Sequence, residues 1–227
     1  TPALYSTSRK ARWSAARRPL HLLLSIGSGL LAAWLTYQLR AHWAWLVATA
    51  FITFLYSAPK IPYLPFIWLR RIAIGKTLFL ALAWTQVTAV LPLALERQDF
   101  GPEAELFAIN RFFLIYAICI LFDYRDREAD RREGIRSLVT QLDEQGIHSL
   151  FLGSLLVFFA TGLGGLFHNQ DPVTVAILLL PGLLLAGLYA RSLRSQSDYL
   201  YYFVLDGLMM FSALLLFLLS LFGKFAG

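Results

Sequence analysis

Between Phe122 and Leu138 the sequence reads Phe-Asp-Tyr-Arg-Asp-Arg-Glu-Ala-Asp-Arg-Arg-Glu-Gly-Ile-Arg-Ser-Leu. Asp123, Asp126 and Asp130 stand at i, i+3 and i+7, which fall at about 0°, 300° and 340° around an α-helix, so one face carries all three carboxylates. Such a face suits Mg²⁺, a hard cation that takes oxygen ligands, keeps several waters and is commonly shared with substrate phosphates. The arginines that follow have the paired donors that phosphate oxygens accept. A plainer reading stands beside this one. Asp123 with Arg127, and Glu128 with Arg132, are i,i+4 pairs worth about 0.2–0.5 kcal/mol each on a solvated helix. Spacing alone does not choose between the two.

The elements that must position this face are apolar. Of 227 residues, 58% are hydrophobic and 15% charged, against about 45–50% and about 25% in soluble domains. This composition excludes disordered, collagen-like and disulfide-scaffold classes. Cys119 is the only cysteine, which rules out an intrachain disulfide and a Cys-based zinc site. The apolar residues form seven runs, 20–39, 41–57, 77–95, 106–122, 148–167, 173–190 and 199–222. Continuous runs of this length predict membrane-spanning helices, with no alternating barrel pattern and no cleavable signal peptide. The expected fold is therefore an all-α, polytopic transmembrane helix bundle of about seven spans, a single domain over 1–227. A basic segment, 1–19, opens it and an Asp-rich loop, 123–147, follows the fourth span.

Seven spans sort the loops onto two sides. One side receives Arg9, Lys10, Arg12, Arg17 and Arg18, then Lys60, Arg70, Arg71 and Lys76, then Arg125, Arg127, Arg131, Arg132 and Arg136, then Arg191 and Arg194. The other is left with Arg40, Arg97, Arg111 and Lys224, beside the acidic Glu96, Asp99, Glu103 and Glu105. The positive-inside rule then places the N-terminus and the Asp-rich loop in the cytoplasm. A plasma (inner) membrane protein is expected. The net charge of +6 suits anionic lipid headgroups. No nucleic-acid recognition motif accompanies it, so no nucleic-acid partner is expected.

Directly after a span, Asp123, Asp126, Asp130, Arg131, Gly134, Ser137 and Leu138 resemble the second aspartate-rich motif of the UbiA superfamily of intramembrane prenyltransferases. Leu55-Tyr56-Ser57-Ala58-Pro59, followed by Leu69-Arg70-Arg71-Ile72 and Gly75-Lys76, is similar to that family's Tyr-Ser, Lys/Arg-rich loop. The resemblance implies a helical bundle around a central cavity, Mg²⁺ as cofactor, a polyprenyl diphosphate donor and an aromatic or other lipophilic acceptor. It also assigns roles. Asp123, Asp126 and Asp130 are the catalytic, metal-binding candidates; Lys60, Arg70, Arg71, Lys76 and Arg131 are diphosphate-binding candidates, although topology alone also accounts for these cations.

The family has nine spans, with its second motif after the sixth. Here the motif follows the fourth, as in a nine-span fold lacking its first two helices, and Arg18-Pro19-Leu20 looks like the close of the family's first motif. Counting back places Pro2, Tyr5 and Arg9 near the expected carboxylates, and no Asp or Glu precedes Glu96. Half of the family's metal site is thus without a counterpart.

Other residues invite weighing. Asp206 lies within the last apolar run, where an ionisable group is by default a functional candidate; with Tyr56 it is a possible cavity residue, or else a partner in an interhelical pair. Asn110 and Arg111 read as interfacial or interhelical polar contacts, and the glycines at 27, 29, 162, 164, 165, 182 and 187 as points of close helix approach. The four histidines show no ligand spacing.

Two functions follow. The first is a UbiA-type membrane prenyltransferase using Mg²⁺. The alternative is a catalytically impaired relative that binds an isoprenoid lipid or a protein partner without turnover. A small-solute transporter would show internal repeats, and none is evident.

Overall fold

The computed structural model describes residues 17–57, 75–96, 100–132, 137–168 and 170–225, with the side chains of Arg18, of Tyr56 to Lys76 and of residues beyond Leu221 outside that description. Every regular element among the described residues is helical. The chain divides into two units, Thr1–Leu46 and Val47–Gly227. The first contains α1 (Arg18–Gln38), a 3₁₀ turn (Arg40–His42) and the start of α2 (Trp43–Ser57). Pro19 opens α1, where its missing N–H costs nothing.

The second unit holds the remaining elements. A broken span consists of α3 (Gly75–Thr85), a π-helical turn (Gln86–Val90) and α4 (Leu91–Glu96). Pro92 cannot donate to the Thr88 carbonyl, and the widened turn coincides with that defect in the ladder. Then come α5 (Pro102–Arg132), the short α6 (Leu138–Gln141), α7 (Glu144–Gly164) with a 3₁₀ end, and α8 (Pro172–Arg194). A second π turn (Leu200–Leu205) leads into α9 (Asp206–Phe225).

Six of these helical stretches are long and apolar enough to cross a membrane: Pro19–Gln38, Thr77–Glu96, Pro102–Arg132, Glu144–His168, Pro172–Arg194 and Leu200–Leu221. The second of the seven expected spans, 41–57, is helical as far as it is described. Arg40–His42 winds as a 3₁₀ turn, and the described part of α2 covers Trp43–Ser57.

At the centre lies α5. Every residue from Leu114 to Leu121 is buried, so this helix is enclosed on all sides, as an all-round apolar helix must be. Against it pack Ala81 of α3, Phe151 and Phe158 of α7, Leu185 of α8, and Tyr201 and Leu205 of the second π turn. The outer helices turn large side chains outward, among them Leu152 and Leu156 of α7, Leu183 of α8, and Met210 and Phe217 of α9. In water such exposure would be a liability; against lipid tails it is the natural surface.

Close approach depends on glycine. A Cβ on Gly182 of α8 would overlap the Phe158 ring of α7, and one on Gly162 would overlap Leu179 and crowd the Asn110 amide at 3.0 Å. The space at Gly162 lets Asn110 Nδ2 reach the Phe158 carbonyl at 2.7 Å. Beside it, buried Arg111 donates from Nη1 to Ser212 Oγ of α9 at 2.7 Å and from Nη2 to the Leu178 carbonyl of α8 at 3.1 Å. Its Nε and Nη2 also reach Asn110 Oδ1 at 3.3 and 3.1 Å. Pro181 disturbs the α8 ladder beside Leu178, and the guanidinium supplies a donor there. The interhelical contacts expected of Asn110 and Arg111 are thus one polar tie through four helices.

Candidate functional site

The 31 residues of α5 extend over about 46 Å at 1.5 Å per residue, more than the roughly 30 Å of bilayer hydrocarbon. One end must therefore leave the apolar layer, and composition selects the C-terminal one. The helix runs unbroken through Asp123, Asp126 and Asp130 to Arg132. The stretch expected as a loop over 123–147 is thus helical at its start, because Asp123–Arg132 continues the backbone ladder of the buried span. Glu103 and Glu105 in the first turn, and Arg131 and Arg132 in the last, oppose the helix dipole at each end.

The three carboxylates differ in surroundings. Asp123 and Asp130 are buried, whereas the Asp126 side chain is 46% exposed. Thr77, at the start of α3, donates its hydroxyl to Asp123 Oδ2. Asp126 Oδ1 accepts from Arg125 Nε at 3.0 Å. Among the described residues, no three carboxylate, imidazole or thiol side chains stand close enough to hold a metal by themselves. Among those residues the Asp-rich face does not by itself enclose an ion. Its donor chemistry nevertheless fits Mg²⁺, which is usually held by one or two carboxylates, waters and substrate phosphate oxygens.

Arginines brace this end. Arg125 lies with its guanidinium 4.6 Å from the Tyr201 ring centroid and 4.8 Å from that of Tyr202; its Nη2 donates to the Tyr202 hydroxyl at 2.9 Å. Arg127 meets Glu144 Oε1 at 2.9 Å and donates to the Leu142 carbonyl, while the Tyr124 hydroxyl donates to Glu144 Oε2 at 3.1 Å. Together these tie α5 to the start of α7. Arg131 donates from Nε and Nη2 to the Thr140 carbonyl at 3.3 and 3.1 Å. Ser137 is wholly buried and shares a reciprocal capping box with Thr140 at the start of α6, which accounts physically for a hydroxyl at this place in the motif.

Of the remaining sequence candidates, Lys60, Arg70 and Arg71 lie outside the described residues, as does Gly134. Tyr56 falls at the end of α2 and Lys76 at the start of α3, with their side chains outside the description. Asp206 opens α9 and is exposed. Thr77, Arg125, Tyr201 and Tyr202 escape sequence reasoning as site residues. Only the last pair had a signal, an aromatic cluster at a span end, which reads equally as an interfacial anchor. A cavity of about 360 Å³ lined by Glu103, Phe107, Asp171 and Leu178 lies toward the opposite end of α5 and is no part of this site.

Neither the curated proteins nor the solved structures include a match to this chain. The model of the UbiA prenyltransferase family matches residues 15–215. That interval begins ahead of α1, takes in the whole Asp-rich end of α5 and continues into α9. Given this match and the six apolar spans, the chain is an integral membrane protein that belongs to the UbiA prenyltransferase family.

Proposed function

We propose that this chain transfers a polyprenyl group from its diphosphate to an aromatic or other lipophilic acceptor within the membrane, with Mg²⁺. The observation that carries the reading is the Asp123, Asp126 and Asp130 face at the exit of the central helix of a UbiA chain. Those carboxylates would hold Mg²⁺, which when bound neutralises charge on the diphosphate. Lys60, Arg70, Arg71, Lys76 and Arg131 supply further positive charge to the leaving pyrophosphate. In the reaction the allylic C–O bond breaks and its electron pair departs with pyrophosphate. The acceptor then gives an electron pair to the allylic carbon and loses a proton. Apolar helix walls keep water from capturing the cation first. The basic segments, and with them the Asp-rich end of α5, face the cytoplasm.

A second reading has its own support. No carboxylate precedes Glu96 in these 227 residues, and a relative with the second acidic motif alone would bind an isoprenoid diphosphate without turning it over. Purified protein given a polyprenyl diphosphate, an aromatic acceptor and Mg²⁺ should release pyrophosphate, and Asp126→Ala should lower the rate on the order of a hundredfold. Binding without release would favour the second reading. Release that is indifferent to Asp126→Ala would exclude a role for this face.

A further inference from the structure

Neighbours in sequence do not face each other on a helix. The 3.0 Å contact between Arg125 Nε and Asp126 Oδ1 therefore requires the arginine to be held folded sideways by something else. The last span does the holding. Its π turn places Tyr201 and Tyr202 beside one guanidinium, and Phe122 stands with its ring centroid 5.5 Å away. Successive side chains in such an i→i+5 turn diverge by less than the roughly 100° of an α-helix, which helps two adjacent tyrosines reach the same cation. Tyr201 is itself fixed, donating its hydroxyl to the Ser192 carbonyl at 2.9 Å.

The result is an arginine whose side chain is only 8% exposed beside a half-exposed carboxylate. Its Nη1 is buried and makes no hydrogen bond; Asp198 Oδ1 is the near charge at 3.7 Å. A guanidinium enclosed this far, with one donor unspent, is costly as a surface pair and worth little as a stabiliser. Its geometry does something else: it fixes one oxygen of the one carboxylate on the Asp-rich face that is not buried.

We propose that Arg125 is the positioning residue of the Asp-rich face, clamped by Tyr201 and Tyr202 of the last span so that the Asp126 carboxylate stands ready for the divalent cation and diphosphate. This rests on the prenyl-transfer reading of that face. It makes the π turn of the last span a working part of the site, connected to the acidic helix through one cation. Groups that orient a metal-binding carboxylate typically change metal affinity about 10–100-fold when removed.

The test uses full-length protein in detergent and reads the Mg²⁺ concentration that half-saturates binding of inorganic pyrophosphate, beside the melting temperature. Arg125→Ala should raise that concentration about tenfold. Tyr202→Phe keeps the ring and removes one hydrogen bond; it should raise it about threefold with melting nearly unchanged. Arg125→Ala combined with Asp126→Asn should be no worse than Asp126→Asn alone, because both changes remove the same oriented oxygen. If Asp126→Asn shifts the midpoint while Tyr202→Phe and Arg125→Ala do not, or if the double variant shows the product of the single shifts, the positioning role is overturned and the prenyl-transfer reading stands. If Asp126→Asn itself shifts nothing, both fall.

Discussion

Asp123→Asn should reduce Mg²⁺-dependent prenyl transfer on the order of a hundredfold or more while the protein keeps a cooperative melting transition. The two halves of that expectation come from the same place. Asp123 is buried at the end of the central helix and accepts from the Thr77 hydroxyl. An asparagine has nearly the same shape, and its amide oxygen can take the same hydrogen bond, so packing between α3 and α5 is kept. What disappears is one negative charge, and with it the strongest reason for a cation to settle at this depth. Pyrophosphate release and a melting curve on the same preparation check both parts. A purely structural carboxylate would show the reverse, with activity tracking the loss of folded protein.

The second large effect concerns stability. Arg111→Ala should destabilise the bundle by roughly 3 kcal/mol, since it strands the Ser212 hydroxyl, the Leu178 carbonyl and the Asn110 amide oxygen within the apolar layer. Each contact across helices inside a membrane is worth about 0.6 kcal/mol on average and up to about 1.7. Loss of the long side chain adds a void between α5, α8 and α9. Ser212→Ala, which removes one acceptor and little volume, should cost no more than about 1 kcal/mol. Reversible unfolding in mixed micelles measures both. Because Arg111 sits near the start of α5 and the Asp-rich face at its end, the folded fraction of the alanine variant should keep its Mg²⁺ midpoint, which separates this tie from the site.

How far the chain could be read without coordinates varies by feature. Apolar runs placed five spans to within four residues at each end and found the fourth, whose helix runs ten residues past its apolar part to Arg132, because a bilayer demands long unbroken segments and little else produces them. The shared face of Asp123, Asp126 and Asp130 follows from helical period alone, and the helix does continue to Arg132. The second run is described only as far as Ser57. Trp43–Ser57 is apolar throughout, yet a 3₁₀ turn takes the residues before it, and composition does not mark where winding changes.

Pairings were the hidden part. Thr77 and Asp123 are 46 positions apart, and Arg125 and Tyr202 are 77 apart. No local pattern links such residues; they meet because α3 and the π turn both pack on α5. The π turns were equally illegible. Pro92 offers a cue for the first, while Leu200–Leu205 has none. Conversely, Ser137 looked like a motif residue and is accounted for by a capping box, which shows how a shared pattern can carry fold and chemistry at once.

The central claim is that the Asp-rich end of α5 receives a prenyl diphosphate through Mg²⁺. Equilibrium binding of a polyprenyl diphosphate to purified protein, with Mg²⁺ and then with a chelator, tests it without needing the acceptor. The account predicts saturable binding that weakens at least tenfold on chelation and loses that Mg²⁺ dependence in Asp123→Asn. Binding of equal strength with and without Mg²⁺, unchanged by the substitution, would contradict it.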